Sequence, residues 1–175
     1  MVTLRCTQKL LRRVPGQRSG STPRPTTLLG DWYANLLFRK PQQLVLCVSE
    51  RTLLPVIVPA KEIHTLPARL AVAVRELLVA LGIAPSLADR ERAEMQQFCF
   101  GRTESKRILG SLNEFMFELA YVMDVRPDES LLQRSLFLAE SPCKPIGYKS
   151  PDRATLELFA AGGVGNRQFG ADSIF

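Results

Sequence analysis

Seven consecutive residues, Gly101-Arg102-Thr103-Glu104-Ser105-Lys106-Arg107, have the types that bind an anion. They stand between a run of alternating apolar residues and a long amphipathic stretch. Backbone N–H groups left free at a helix start favour negative charge, and Thr103 and Ser105 add hydroxyl donors. Arg102, Lys106 and Arg107 supply the charge that a phosphate or carboxylate needs. Bases in a first helical turn oppose the helix dipole, at a cost of about 0.3–1 kcal/mol each where exposed. A local cost of this kind hints at a purpose; the plainer reading is that Glu104 and other acids pair with these bases. The spacing is not G-x-x-x-x-G-K-S/T, so the junction is not a P-loop.

Two further segments carry polar groups in suggestive places. In Leu109-Gly110-Ser111-Leu112-Asn113, a glycine inside a helical pattern costs about 1 kcal/mol against alanine, which points to close approach by another backbone. Asn113 lies near the edge of the apolar stripe, placed to bond a neighbouring loop or a ligand. In Gly30-Asp31-Trp32-Tyr33-Ala34-Asn35, Asp31 opens a strand and Trp32 has the ring to stack a base or a partner side chain. Trp32 also alternates with Leu36 and Phe38, which is the pattern of a core residue.

Catalytic constellations are not legible. His64 is the one imidazole, so any Ser–His or Cys–His arrangement must use it, and no G-x-S-x-G elbow occurs. Cys6, Cys47, Cys99 and Cys143 are widely spaced without a C-x-x-C pair, which argues against zinc. Gly162-Gly163-Val164-Gly165 lacks the strand-then-helix setting of a dinucleotide loop. No metal and no organic cofactor are expected. Free cysteines in apolar surroundings fit a reducing, cytoplasmic compartment. The basic start lacks the apolar run of a secretory signal, and no stretch is long and apolar enough to span a membrane.

The elements that would position these residues follow from periodicity. Val2, Leu4 and Cys6 alternate as a short strand, and residues 8–14 continue as one or two helical turns. Residues 15–27 have three Pro, two Gly and no large apolar side chain, which reads as a flexible basic loop or insertion spanning about 20 Å as a coil. Residues 32–38 and 44–49, split by a polar turn, predict a hairpin, and Leu53–Val58 adds a strand that Pro55 places at an edge or bulge. Helices are expected over 66–82, capped by Thr65, and over 86–94, opened by a Ser86–Asp89 capping box. A strand over 95–102 precedes the most regular helix, 104–123, with Ile108, Leu112, Phe115, Leu119 and Val122 on one stripe. Helices near 128–140 and 151–161 follow. Strands and helices are partly segregated, so the expected fold is α+β. It is a single domain over residues 1–161 with a mixed or antiparallel sheet, a central hairpin and four to six helices, followed by a C-terminal tail, 162–175.

The 175 residues are 46% hydrophobic, enough for one solid core at this length. The net charge of +6 is concentrated: residues 1–40 hold eight bases and one acid, whereas the rest hold fifteen bases and sixteen acids. A positive field at the N-terminal segment attracts nucleic acid or an acidic protein surface, or simply solvates a face. The expected function is therefore binding of nucleic acid or an acidic partner protein. Arg5, Lys9, Arg12 and Arg13 would act together with Arg102, Thr103, Ser105, Lys106 and Arg107. The alternatives are an enzyme acting on a phosphorylated small molecule or nucleotide, with Arg102, Lys106 and Arg107 as anion clamp, and a subunit of a larger complex. The last predicts an apolar surface patch around Phe159 and the tail.

Four words in the chain, LRCTQKLL, LGDWYANLLF, RTESKRILGSLNE and PIGYKSPDRATLELF, resemble an uncharacterised bacterial family of small proteins found in plasmid and mobile-element neighbourhoods. The resemblance covers most of the chain outside 15–27 and the last dozen residues. It implies a single domain in a bacterial cytoplasm, in the setting of antitoxin-like or mobile-element accessory proteins, and brings no catalytic residue with it.

Overall fold

The computed structural model describes residues 1–15 and 21–164. Arg18 and the segment 165–175 lie outside the described residues. Five strands form one mixed sheet: β1 (Val2–Cys6), β2 (Trp32–Arg39), β3 (Gln42–Ser49), β4 (Pro55–Pro59) and β5 (Phe98–Arg102), in the spatial order β4-β3-β2-β1-β5. The β2–β3 hairpin is antiparallel, as is β3–β4, whereas β1 runs parallel to both β2 and β5. Six helices pack around the sheet: α1 (Gln8–Leu11), α2 (Leu66–Ala80), α3 (Pro85–Glu94), α4 (Lys106–Val125), α5 (Leu131–Ala139) and α6 (Pro151–Val164). This is the α+β single domain expected from the segregation of strand and helix patterns.

The alternation of side chains along the strands sends apolar residues to two cores. Val2, Leu4, Trp32, Ala34, Leu36 and Val45 meet Leu10, Leu11, Leu66, Leu70, Val74, Leu77, Ala88 and Phe159 on one face. Tyr33, Leu44, Leu46, Val48 and Ile57 meet Ile108, Leu112, Phe115 and Leu119 of α4 on the other. β3 is covered on both faces, which explains its unbroken apolar run from Leu44 to Val48. Phe159 is buried and so offers no surface to a patch; the 165–175 part of the tail expected beside it lies outside the described residues.

Several local expectations are corrected. The helix over 86–94 begins at Pro85 behind Ala84, with no side-chain cap, and Ser86 is exposed. Thr65 does not cap α2: its hydroxyl donates to the Glu62 carbonyl instead, at 2.9 Å. Residues 95–97 are turn rather than strand, and α6 extends to Val164, into what reads as tail.

The loop over 15–27 is also tied down in its described part. Thr27 is buried and donates to the Gly30 carbonyl at 2.8 Å, while Glu91 accepts from the backbone N–H groups of Leu28 and Leu29 at 2.9 and 3.0 Å. Gly30 then turns with φ +80°, where an added Cβ would lie 2.8 Å from Glu50. Polar composition predicts an idle loop; the bonds of its threonines and of the Glu91 carboxylate override that.

The edge strand β4 is closed to further pairing. Ile57 N–H points away from β3 and donates to Ser135 Oγ at 3.2 Å, which places Pro55 and Pro59 in the same outward phase. Those two positions have no N–H to offer. The Pro59 carbonyl accepts from Arg69 at 2.5 Å.

Two outcomes follow. Ser135→Ala leaves the buried Ile57 N–H without its acceptor and should lower stability by about 1–3 kcal/mol in urea unfolding. Burial pushes the Glu91 carboxyl above its usual range, against the pull of the Leu28 and Leu29 N–H groups and Arg51. With the folded value raised, its contribution to stability is complete below the unfolded value and is lost as pH rises through the folded one. As pH rises above the ordinary glutamate range, the wild-type chain should thus lose stability relative to Glu91→Gln, read as the difference in urea midpoints.

Candidate anion-binding surface

Cys6, the last residue of β1, is in register with Arg102, the last residue of β5, so two adjacent parallel strands end at the same level. The chain leaves them toward opposite faces: α1 sends Leu10 and Leu11 to the first core, whereas α4 sends Ile108 and Leu112 to the second. Adjacent parallel strands with diverging exits form a switch point, where open sheets hold their ligands. The two exits carry Thr7, Lys9, Arg12 and Arg13 on one side and Arg102, Thr103, Ser105, Lys106 and Arg107 on the other. The two basic segments thus start from one level of the sheet and turn to opposite faces of it.

Ser105 caps α4 by accepting from Ile108 N–H at 3.3 Å. Thr7, at the corresponding position before α1, does not cap; its hydroxyl donates to Asn35 Oδ1 at 2.7 Å. Thr103 is half-buried at the turn.

Arg5 departs from the expected role. It is buried, with Nη2 3.1 Å from Asp31 Oδ2 and Nη1 2.9 Å from Glu104 Oε1. Further bonds reach Thr22 Oγ1 at 3.2 Å and the Arg102 carbonyl at 3.4 Å. Burial opposes the charge on Arg5, but Asp31 and Glu104 outweigh it and hold the guanidinium protonated. Asp31 also accepts from Thr3 N–H at 2.9 Å; burial, with Glu50 nearby, leaves its carboxyl above the usual range despite these donors. Arg5 and Asp31 are therefore parts of the frame and not contacts for a ligand. Glu104 does pair with a base, as the plainer reading had it, but with Arg5 rather than with Arg102, Lys106 or Arg107.

The other cations stay in solvent. Lys9, Arg12, Arg13, Arg102, Lys106 and Arg107 are exposed, and among the described residues none has an acid within ion-pair distance. Arg13 donates to Gln43 Oε1 at 2.8 Å and Arg107 weakly to the Pro145 carbonyl at 3.4 Å. These cations line none of the three best-formed cavities. The largest, about 380 Å³, is an apolar groove between β4, α2 and α5.

Trp32 is fully buried and cannot stack a base; its indole N–H finds no partner among the described residues. Asn113 is exposed on the outer face of α4 and bonds no loop. At Gly110 an added Cβ would meet nothing within 4 Å, so among the described residues no backbone approaches it.

No catalytic cluster assembles among the described residues. His64 is exposed in a turn, and no group of three His, Cys, Asp or Glu side chains could hold a metal ion. Burial pushes the Cys6 thiol up to about 12 and the Cys143 thiol up to about 11, and raises that of Cys47 as well, so these thiols are not nucleophiles near neutral pH.

Sequence reasoning overlooked Thr7, and it marked Tyr33 and Asn35 only as polar residues at a strand start. Their signal was strand parity: Thr3 and Arg5 alternate with Val2, Leu4 and Cys6 as Asp31, Tyr33 and Asn35 alternate with Trp32, Ala34 and Leu36. Polar residues of like phase on neighbouring strands must satisfy one another.

The sheet order, the two cores and the diverging strand exits define a single-domain α+β protein. Residues 3–154 match the model of a domain of unknown function (DUF6933), and the chain belongs to that family. No curated protein and no solved structure matches the chain.

Arg5→Met strands the buried Asp31 carboxylate and should cost about 3–5 kcal/mol of stability in denaturant unfolding. Arg102→Met, at an exposed position, should stay within about 0.5 kcal/mol of the wild type.

Proposed function

We propose that this protein is a non-catalytic nucleic-acid-binding protein that engages the phosphate backbone through the strand ends of β1 and β5. The observation that carries this reading is the six exposed cations, free of acidic partners, on the two chain exits that leave one level of the sheet. Lysine and arginine side chains beside hydroxyls and helix-start N–H groups are the groups that contact phosphate without reading sequence. That these cations line none of the best-formed cavities supports an extended polyanion over a small phosphorylated metabolite, which would need an enclosing pocket. The family resemblance supports a place among bacterial, cytoplasmic accessory proteins of mobile elements. No helix among the described residues is long and apolar enough to cross a membrane, which agrees with a partner in solution.

The test is binding of a short labelled duplex DNA at two salt concentrations. Each neutralised phosphate contributes about −0.9 to the slope of log affinity against log salt. Four to six contacts then give a slope of about −4 to −5. Replacing Lys9, Arg12 and Arg102 together by Gln should flatten that slope by about 3 while leaving the melting temperature unchanged. Absence of binding at low salt, or a slope insensitive to these replacements, removes the proposal.

A further inference from the structure

The groove between β4, α2 and α5 holds about 380 Å³, near the lower end of the range in which proteins bind small molecules. Val58 of β4, Val72 of α2 and Leu132 of α5 stand on its three sides, and most of its lining is apolar. Val72 keeps 38% of its surface exposed there. A sixth strand cannot fill the groove, because the outward positions of β4 are two prolines and an N–H already taken by Ser135.

Three polar side chains join the lining: Arg69, Ser135 and Glu76. Arg69 is held by its own neighbours. Its Nε donates to Thr65 Oγ1 at 2.9 Å, Nη1 to the Pro59 carbonyl at 2.5 Å, and Nη2 to the Lys61 and Glu62 carbonyls at 2.5 and 3.3 Å. These bonds use four of the five guanidinium hydrogens and leave one on Nη1. All four acceptors are neutral, and among the described residues no carboxylate lies within ion-pair distance of Arg69. Ser135 is 2% exposed; its Oγ accepts from Ile57 N–H, and its own hydrogen meets no acceptor among the described residues. An unmet buried donor is costly, so an occupant that meets it is favoured. Glu76 is exposed and stands about 10 Å further along α2 than Arg69.

We propose that this groove binds a small apolar monocarboxylate. The carboxylate takes the spare Arg69 hydrogen and supplies the counter-charge that Arg69 lacks. Ser135 and Arg69 hold Ile57 and Pro59, two residues and so about 7 Å apart on β4. One carboxylate bridges a gap of that size with a hydrogen bond to each oxygen, which gives the Ser135 hydroxyl its acceptor. The apolar body lies along Val58, Val72 and Leu132 and removes them from water. Glu76 repels an anion, so the head group sits at Arg69 and the tail points toward Glu76. No residue of the basic surface lines the groove, so this inference does not depend on what that surface binds.

Calorimetric titration of the full chain with octanoate, octanol and octylammonium tests it. Octanoate should saturate a single site, about tenfold tighter than octanol, with octylammonium the weakest. Arg69→Gln should lower octanoate to the affinity of octanol and leave octanol unchanged. Where that variant melts early, the ranking of the three head groups on the wild type decides in its place. Val72→Trp fills the groove from an exposed position and should abolish octanoate binding without lowering the melting temperature. Replacing Lys9, Arg12 and Arg102 together by Gln should leave octanoate binding unchanged, which separates this site from the basic surface. Absence of saturable octanoate binding overturns the proposal. So does octanol or octylammonium binding as tightly as octanoate, or octanoate binding that survives Val72→Trp or falls with the triple replacement.

Discussion

The Arg5 guanidinium is the tie on which the arrangement of the sheet's polar edge depends. One side chain joins β1 to Asp31 at the head of β2, to the Arg102 carbonyl at the end of β5, to Glu104 before α4 and to Thr22 in the preceding loop. A buried cation is tolerated only when its donors are met, and here four separate segments must be in place to meet them. The tie therefore fixes where β5 stops and where α4 starts. It also exposes the neighbouring bases by taking up Glu104, the acid closest to them in sequence.

The large elements were legible because their apolar residues follow one period over many positions. The hairpin, α2 and α4 are each set by a repeated spacing that no single bond can overturn. What escaped was set by individual polar contacts between distant segments. Thr65 and Ser86 have the types of caps, yet the backbone geometry offered Thr65 a nearer acceptor and started α3 one residue earlier at Pro85. The described part of the 15–27 loop has the composition of a linker, but the Glu91 carboxylate, more than sixty residues away, orders the backbone that follows it. Arg5 shows the same limit at the candidate site. Counting charges along the chain placed it among the free bases, and only the pairing of β1 with β2 brings Asp31 beside it.

The candidate surface was legible in outline for a related reason. Helix-start chemistry at residues 102–107 is local, so types and order sufficed to find it. Its union with α1 is not local, because it arises from the parallel pairing of β1 with β5, strands separated by most of the chain's other elements. The two exits turn toward opposite faces of the sheet.

The two prolines of β4 bear on how the protein behaves when crowded. A sheet recruits a stranger by presenting a ladder of amide protons, and this border presents none that is vacant: two are missing by chemistry and the third is engaged by a serine. A misfolded neighbour searching for a template finds no rung to grip on that flank.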